Sequence, residues 1–274
     1  MIIAGTVPIE GLGPVEGKVE PLDDRIRVAG REIPVSMGTA ALAAAAARVL
    51  EFLGEDEPRL ITAGDLGEGD GSLEIYRRLR EVDDDVLVIH YIKPKIDEIR
   101  RVDTSGKVIA DAGGMYAAKA AGIGPEFHLF LPDPGELAFL ADEKAHHPAY
   151  VRGFIAEVDE EEVPSLVRRA YEEDQVPDYM VVKGRRDHVV HRGEVVETVD
   201  EPLVEAMECI GGTGDTLTGI VAALIAAGFG TEEACVIGCR VNRRLGEIAN
   251  ATPTTRIHEL TRAIPEALCE ELRE

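Results

Sequence analysis

Short apolar runs alternate with helix-patterned segments along most of this chain, and that alternation restricts its fold more than any other feature. RLITAG (59–64) is followed by SLEIYRRLREV, DVLVIHYI (85–92) by PKIDEIRRV, and KVIADA (107–112) by GGMYAAKAAG. HLFLP (128–132) precedes PGELAFLADE, and YVRGFIAEV (150–158) precedes EEEVPSLVRRAYEED. YMVVKG (179–184) then leads into two short strands, DHVVHRG and EVVETV. Apolar strands, each followed by an amphipathic helix, belong to a mainly parallel sheet covered on both faces. The expected fold class is therefore α/β, a three-layer α/β/α arrangement with a mainly parallel central sheet. In open sheets of this kind ligands bind beyond the carboxyl ends of the strands, so residues that follow strands are the first candidates for chemistry.

The flanks add to this frame. The first 35 residues read as short strands with Gly/Pro turns, and RIRVAGREIPV as a hairpin about Ala29-Gly30. GTAALAAAAARVLEFLG reads as an alanine-rich helix closed by Gly54. TEEACVIGCRVNRRLGEIAN and HELTRAIPEALCEEL read as two final helices. No repeat or low-complexity linker interrupts the chain, so residues 1–274 are expected to form a single domain. Residues 1–35 would be a small N-terminal β-rich segment, serving as a lid or as edge strands.

Charge excludes some partners. The chain carries 52 acidic and 29 basic residues, a formal net charge of −23. Nucleic acids and anionic membranes need a basic face, so neither is expected as a partner. A polyphosphate ligand would have to be held by local donors and a metal, against the overall field. The N-terminal MIIAGTVPIEG lacks a signal-peptide pattern, and the longest apolar run, Ile220 to Ala227, is far too short to span a bilayer. Four cysteines form no CxxC pair, and Cys235 and Cys239 share one helix face as small core residues. The expected location is the cytoplasm. His146-His147 reads as a surface pair without partners at zinc-ligand spacing, and Asp159 to Glu162 as a solvated helix start.

One stretch carries most of the chemistry: ECIGGTGDTLTG (208–219), which runs on into IVAALIAAG. Glycines at 211, 212 and 214 allow unusual backbone conformations and close approach of a ligand to the main chain. The helix that follows offers unpaired N–H groups and the positive end of its dipole, which suits an anion. That helix has almost no polar face, so its N-terminus is fixed by burial. Asp215 then places a carboxylate against the anion site, which makes sense if it accepts a proton from an attacking hydroxyl or acts through a cation. A capping aspartate after a glycine-rich turn is the plainer alternative.

GGTGDTLTGIVAALIAAG resembles the G-[AT]-G-D signature of the ribokinase-like superfamily. Gly211, Thr213, Gly219 and Gly228 are closer to one branch, the ADP- or ATP-dependent NAD(P)H-hydrate dehydratases. YMVVKG resembles that branch's V-x-K-G strand, ADAGG (110–114) its D-A-D strand end, and LPDPGELAFL (131–140) its T-P-H-P-G-E segment. ITAGDLGEG (61–69) resembles its G-P-G-L-G loop, and GTAALAAAAARVL (38–50) lies where its early Gly-Ala helix lies. These matches follow family order over roughly residues 34 to 250. The pattern differs at Asp133, where the branch has histidine, at Gly113, where it has the second acid of D-A-D, and at Asp187, where it has threonine.

The resemblance implies a ribokinase-like fold, ATP or ADP with Mg2+, a small-molecule hydroxyl substrate and a homo-oligomer. It implies Asp215 as general base, and an anion hole at Gly212, Thr213 and Gly214, with Lys183 against nucleotide phosphates. It places Gly38, Gly67, Asp111 and Asp133 on the substrate side, Asn242 by the adenine, and Glu136 at the magnesium. A carbohydrate-kinase-like transfer to a hydroxyl is the favoured activity, with NAD(P)H-hydrate dehydratase the most similar named relative. A nucleotide-binding sensor or assembly subunit without turnover is the alternative from another class.

Overall fold

The computed structural model describes residues 1–102, 104–145 and 160–273. The expected strand at 150–158 and the pair His146-His147 lie outside them. Among the described residues, eleven strands form one sheet: β1 (Ile2–Ala4), β2 (Val15–Pro21), β3 (Arg25–Val28), β4 (Arg31–Pro34), β5 (Arg59–Thr62), β6 (Val86–Ile89), β7 (Lys107–Ala110), β8 (Leu129–Phe130), β9 (Tyr179–Val182), β10 (Asp187–His191) and β11 (Glu194–Val199). Their order is β11-β10-β9-β8-β7-β6-β1-β5-β2-β3-β4. From β5 through β1, β6, β7 and β8 to β9 the pairing is parallel. Antiparallel strands extend both edges.

The N-terminal segment divides in a way the sequence does not announce. β2, β3 and β4 form the sheet edge, whereas β1 lies at the centre between β5 and β6. The hairpin turn falls at Ala29-Gly30, both left-handed.

Alternation along each central strand sorts its side chains between two cores. Ile3, Leu60, Val88, Ile109, Leu129 and Val181 face one core, built with α1 (Gly38–Leu53), α7 (Thr213–Ala226), α8 (Thr231–Ile248), α9 (Ile257–Arg262) and α10 (Ile264–Glu271). Their neighbours Ile2, Ile61, Ile89, Ala110, Phe130 and Met180 face the other. That second core is closed by α2 (Asp70–Leu79), α3 (Ile96–Ile99), α4 (Gly113–Ala121), α5 (Pro134–Leu140) and α6 (Val163–Glu172). The result is the expected three-layer α/β/α arrangement. HELTRAIPEALCEEL is two helices, not one, because Pro265 has no N–H to continue the first and starts α10 instead. Among the described residues, no helix is long and apolar enough to cross a membrane.

The helix behind the glycine motif is placed by small residues. Leu217 to Ile225 are all buried, and the alanine run of α1 lies against them. A Cβ on Gly219 would sit 2.3 Å from the Leu42 carbonyl oxygen of α1. Gly219→Ala should therefore destabilise the protein by about 1–3 kcal/mol in denaturant unfolding, although alanine is the better helix former, because backbone atoms must give way. An unchanged midpoint would mean that α1 and α7 are less tightly joined.

Candidate active site

Four chain ends meet beyond the carboxyl edge of the parallel strands. His90 follows β6, Asp111 follows β7, Asp133 comes three residues after β8, and Lys183 follows β9. Pairing of Ile89 with Ala110 sets His90 beside Asp111. Asp215 enters the same space from the first turn of α7. A cavity of about 510 Å³ opens here, lined by Tyr91, Asp111, Asp133, Glu136, Lys183 and Asp215 at one part of its wall, and by the glycine motif with Asn242 and Met207 at another.

Gly212 is the N-cap of α7, with φ of 102°, a left-handed conformation that favours glycine, and it offers no side chain to the helix amides. The first N–H groups of α7, from Thr213 to Asp215, thus have no intrahelical acceptor. The Thr213 carbonyl accepts from the Thr216 hydroxyl at 2.8 Å and the Asn242 amide at 3.2 Å, and the Thr216 hydroxyl lies 2.7 Å from the Asn242 carbonyl oxygen. Asn242 lines the cavity, but these bonds commit its amide to bracing the motif.

Asp215 is nearly buried, its side chain 12% exposed. Its Oδ2 accepts the Gly38 N–H at 2.6 Å, and its Oδ1 lies 3.0 Å from His90 Nε2. Burial pushes its pKa up, yet the His90 imidazole, Lys183 and the Gly38 N–H outweigh that and hold the carboxyl below its ordinary value. Gly38 therefore joins the site through its backbone.

Lys183 reaches both oxygens of Asp111 at 2.8 Å, and the Thr218 hydroxyl donates to Asp111 at 2.5 Å. Burial works against the ammonium charge, and Asp111 and Glu136 more than offset it, so the Lys183 pKa rises. His90, Asp111 and Asp215 place one ligand atom each within 4.8 Å of one another, a spacing that would suit a cation. Lys183 already fills that charge requirement at Asp111.

Glu136 and Asp133 form a capping box on α5: the Asp133 N–H donates to Glu136 at 2.9 Å, and the Glu136 N–H to Asp133 at 2.7 Å. The Tyr116 hydroxyl also donates to Glu136 at 3.0 Å. Burial pushes the Glu136 carboxyl up to about 8, against the pull of Lys183, with Asp111 and Asp133 adding repulsion. A divalent cation beside it would favour the ionised carboxylate, so Glu136 is the oxygen donor here that fits magnesium.

Gly67 is not brought to the cavity wall. Its N–H donates to Asp65 at 2.8 Å and its carbonyl accepts from Lys93 at 3.1 Å, which ties its loop to itself and to the segment after β6. Asp187, which stands where the resembling branch has threonine, is an internal anchor. It accepts from Arg243 Nε at 2.8 Å and from the Gly184 N–H at 3.1 Å. His90, Thr39 and Thr218 were not singled out from sequence. His90 could have been, since it follows a strand as Asp111 does.

Comparison with known proteins bears on the family and the fold. A family model described as NAD(P)H-hydrate dehydratase matches residues 89–266. An uncharacterized protein of Methanocaldococcus jannaschii is 60% identical over 221 residues, 81% of this chain and 95% of that protein. Among solved structures, the Bacillus subtilis ADP/ATP-dependent NAD(P)H-hydrate dehydratase, co-crystallized with ATP/Mg2+ and soaked with CoA, superposes with a TM-score of 0.58 at 14% identity, over 98% of this chain and 90% of that one. A ribokinase-like superfamily protein of Enterococcus faecalis gives 0.57 at 13% identity, over 98% and 86%. At these identities the structures establish a shared fold, the ribokinase-like one.

Proposed function

The chain belongs to the NAD(P)H-hydrate dehydratase family, a family of ribokinase-like enzymes, and on that premise we propose that it transfers a phosphoryl group from ATP or ADP to the hydroxyl of a small molecule. The observation that carries this reading is Asp215: an acid whose pKa is held low at the mouth of α7, beside amides that have no intrahelical acceptor, on the wall of a cavity that also holds Lys183. The Thr213 and Gly214 amides would bind the phosphate being transferred, fixed in advance by the buried helix behind them. The acceptor hydroxyl would lie against Asp215, which takes its proton as the new P–O bond forms and the bond to the departing nucleotide breaks. Lys183 would add positive charge on the same side. Glu136 is the residue that would hold magnesium, whose role is to neutralise charge on the phosphate oxygens.

Whether the phosphate ester is the final product or goes on to lose phosphate depends on the acceptor. The family's dehydratase chemistry is the outcome if the acceptor is a hydrated nicotinamide cofactor. The same reading takes residues 1–274 as one domain working in the cytoplasm as a homo-oligomer, as with the tetrameric form of Escherichia coli phosphofructokinase-2 on this fold. The test is turnover of MgATP and MgADP with a panel of hydroxyl compounds that includes hydrated NADH. Nucleotide consumption stimulated by one member is the expected result. Nucleotide binding with no turnover across the panel would favour a sensor on the same fold.

A further inference from the structure

His90 is wholly buried and sits beneath Asp215. Thr39 of α1, itself buried, holds the ring at Nδ1, 3.1 Å from its hydroxyl. Nε2 faces two carboxylates, 3.0 Å from Asp215 Oδ1 and 3.8 Å from Asp111 Oδ2, without a well-aligned hydrogen bond to either. The Tyr91 ring packs edge-on against the imidazole, with centroids 4.4 Å apart. Room for this arrangement depends on Gly5 at the end of β1, where a Cβ would stand 2.5 Å from the Thr39 hydroxyl. A buried imidazole with one nitrogen clamped and the other set between two acids is expensive to maintain without a purpose. Having no exposed surface, it is not placed to meet an acceptor directly.

We propose that His90 is the positioning residue of the reacting carboxylate: clamped by Thr39, it braces Asp215 from below by close contact at Nε2 while the Gly38 N–H holds the other oxygen by a hydrogen bond, so that the carboxylate keeps one orientation toward the acceptor hydroxyl. The proposal rests on Asp215 acting as the base. Its geometry has the logic of a catalytic pair in which a third group orients the second, here Thr39, His90 and Asp215 in order. The charged groups that face His90 are Asp215 and Asp111, and Lys183 pairs with Asp111 behind them; Tyr91, adjacent in the chain, lies near Asp215, Asp111, Glu136 and Lys183. His90 also contributes to keeping Asp215 acidic.

Two measurements test this. The first is hydrolysis of MgATP, with water as acceptor, by the full-length protein. His90→Gln should lower kcat by up to about a hundredfold, the cost of roughly 1 Å of misplacement, and leave the nucleotide KM within about twofold. The acid limb of its pH profile should move to higher pH. Thr39→Val, which keeps the imidazole and removes its clamp, should share the kcat loss in smaller measure. The second is a carbon-13 NMR titration of the Asp215 carboxyl in nucleotide-free protein, which needs no turnover, and in which His90→Gln should titrate at higher pH than wild type. An unshifted titration in His90→Gln overturns the proposal, whatever the rates. Should Asp215→Asn hydrolyse MgATP like wild type while the titration still shifts, the His90–Asp215 pair stands and the assignment of Asp215 as base fails.

Discussion

Asp215→Asn is expected to lower turnover by at least about a hundredfold while nucleotide affinity stays within a few-fold, the range for losing a general base. Asparagine keeps the shape of the side chain and can still accept the Gly38 N–H, so α7 should keep its N-terminal geometry. What goes is the ability to take a proton. The amides proposed to bind phosphate belong to the backbone of residues 213–215 and survive the change. In wild type, the depressed pKa of Asp215 means that the carboxylate persists as pH falls through the ordinary carboxylate range, so activity should drop only below it. Steady-state kinetics beside calorimetric nucleotide binding separate the two effects. Loss of binding together with turnover would assign Asp215 to the nucleotide and not to the acceptor.

Lys183→Met should cost both stability and activity. Lys183 and Asp111 form a pair with side chains 13% and 2% exposed, and removing the cation leaves Asp111 charged in the interior with the Thr218 hydroxyl and the Ala112 N–H as neutral donors. Breaking such a pair costs about 3–5 kcal/mol, because the remaining charge is uncompensated. The double variant Asp111→Asn with Lys183→Met should recover much of that loss, since no uncompensated charge is then buried, but it should not recover turnover. Denaturant unfolding of the two singles and the double gives the coupling directly. If the single variant is as stable as wild type, Lys183 is not the counter-ion of this cluster.

The contrast between Asp215 and His90 shows what a linear sequence can carry. Asp215 is legible because its frame is local: the glycines before it, the apolar helix after it, and Thr213 and Thr216 within the same turn; its side-chain partners, Gly38 and His90, are far away in sequence. The sheet is legible for the same reason, since each strand and helix has its own periodicity. His90 is legible only as a residue that follows a strand: VLVIHYI reads as one continuing apolar run, and its place beside Asp111 comes with the parallel pairing of Ile89 and Ala110. Lys183 and Asp111 are 72 positions apart, and Thr39 and His90 are 51 apart. The central place of β1 is hidden likewise, because a three-residue strand paired in parallel on both sides leaves no local turn signal. Gly67 shows the converse: its loop looks like a ligand loop by resemblance, while the bonds with Asp65 and Lys93 that shape it are visible only in the structure.

The central claim is that the amides at the start of α7 receive the phosphate to be transferred, with Asp215 facing the acceptor. The most direct measurement is a crystal structure of the protein grown with MgADP or a non-hydrolysable MgATP analogue. The terminal phosphate should lie within hydrogen-bond distance of the amides of residues 213–215, the metal should lie near Glu136, and the Asp215 carboxylate should face open cavity beyond the phosphate. Nucleotide density with its phosphates away from α7, or with Asp215 turned from the phosphate and buried against another group, would contradict the claim.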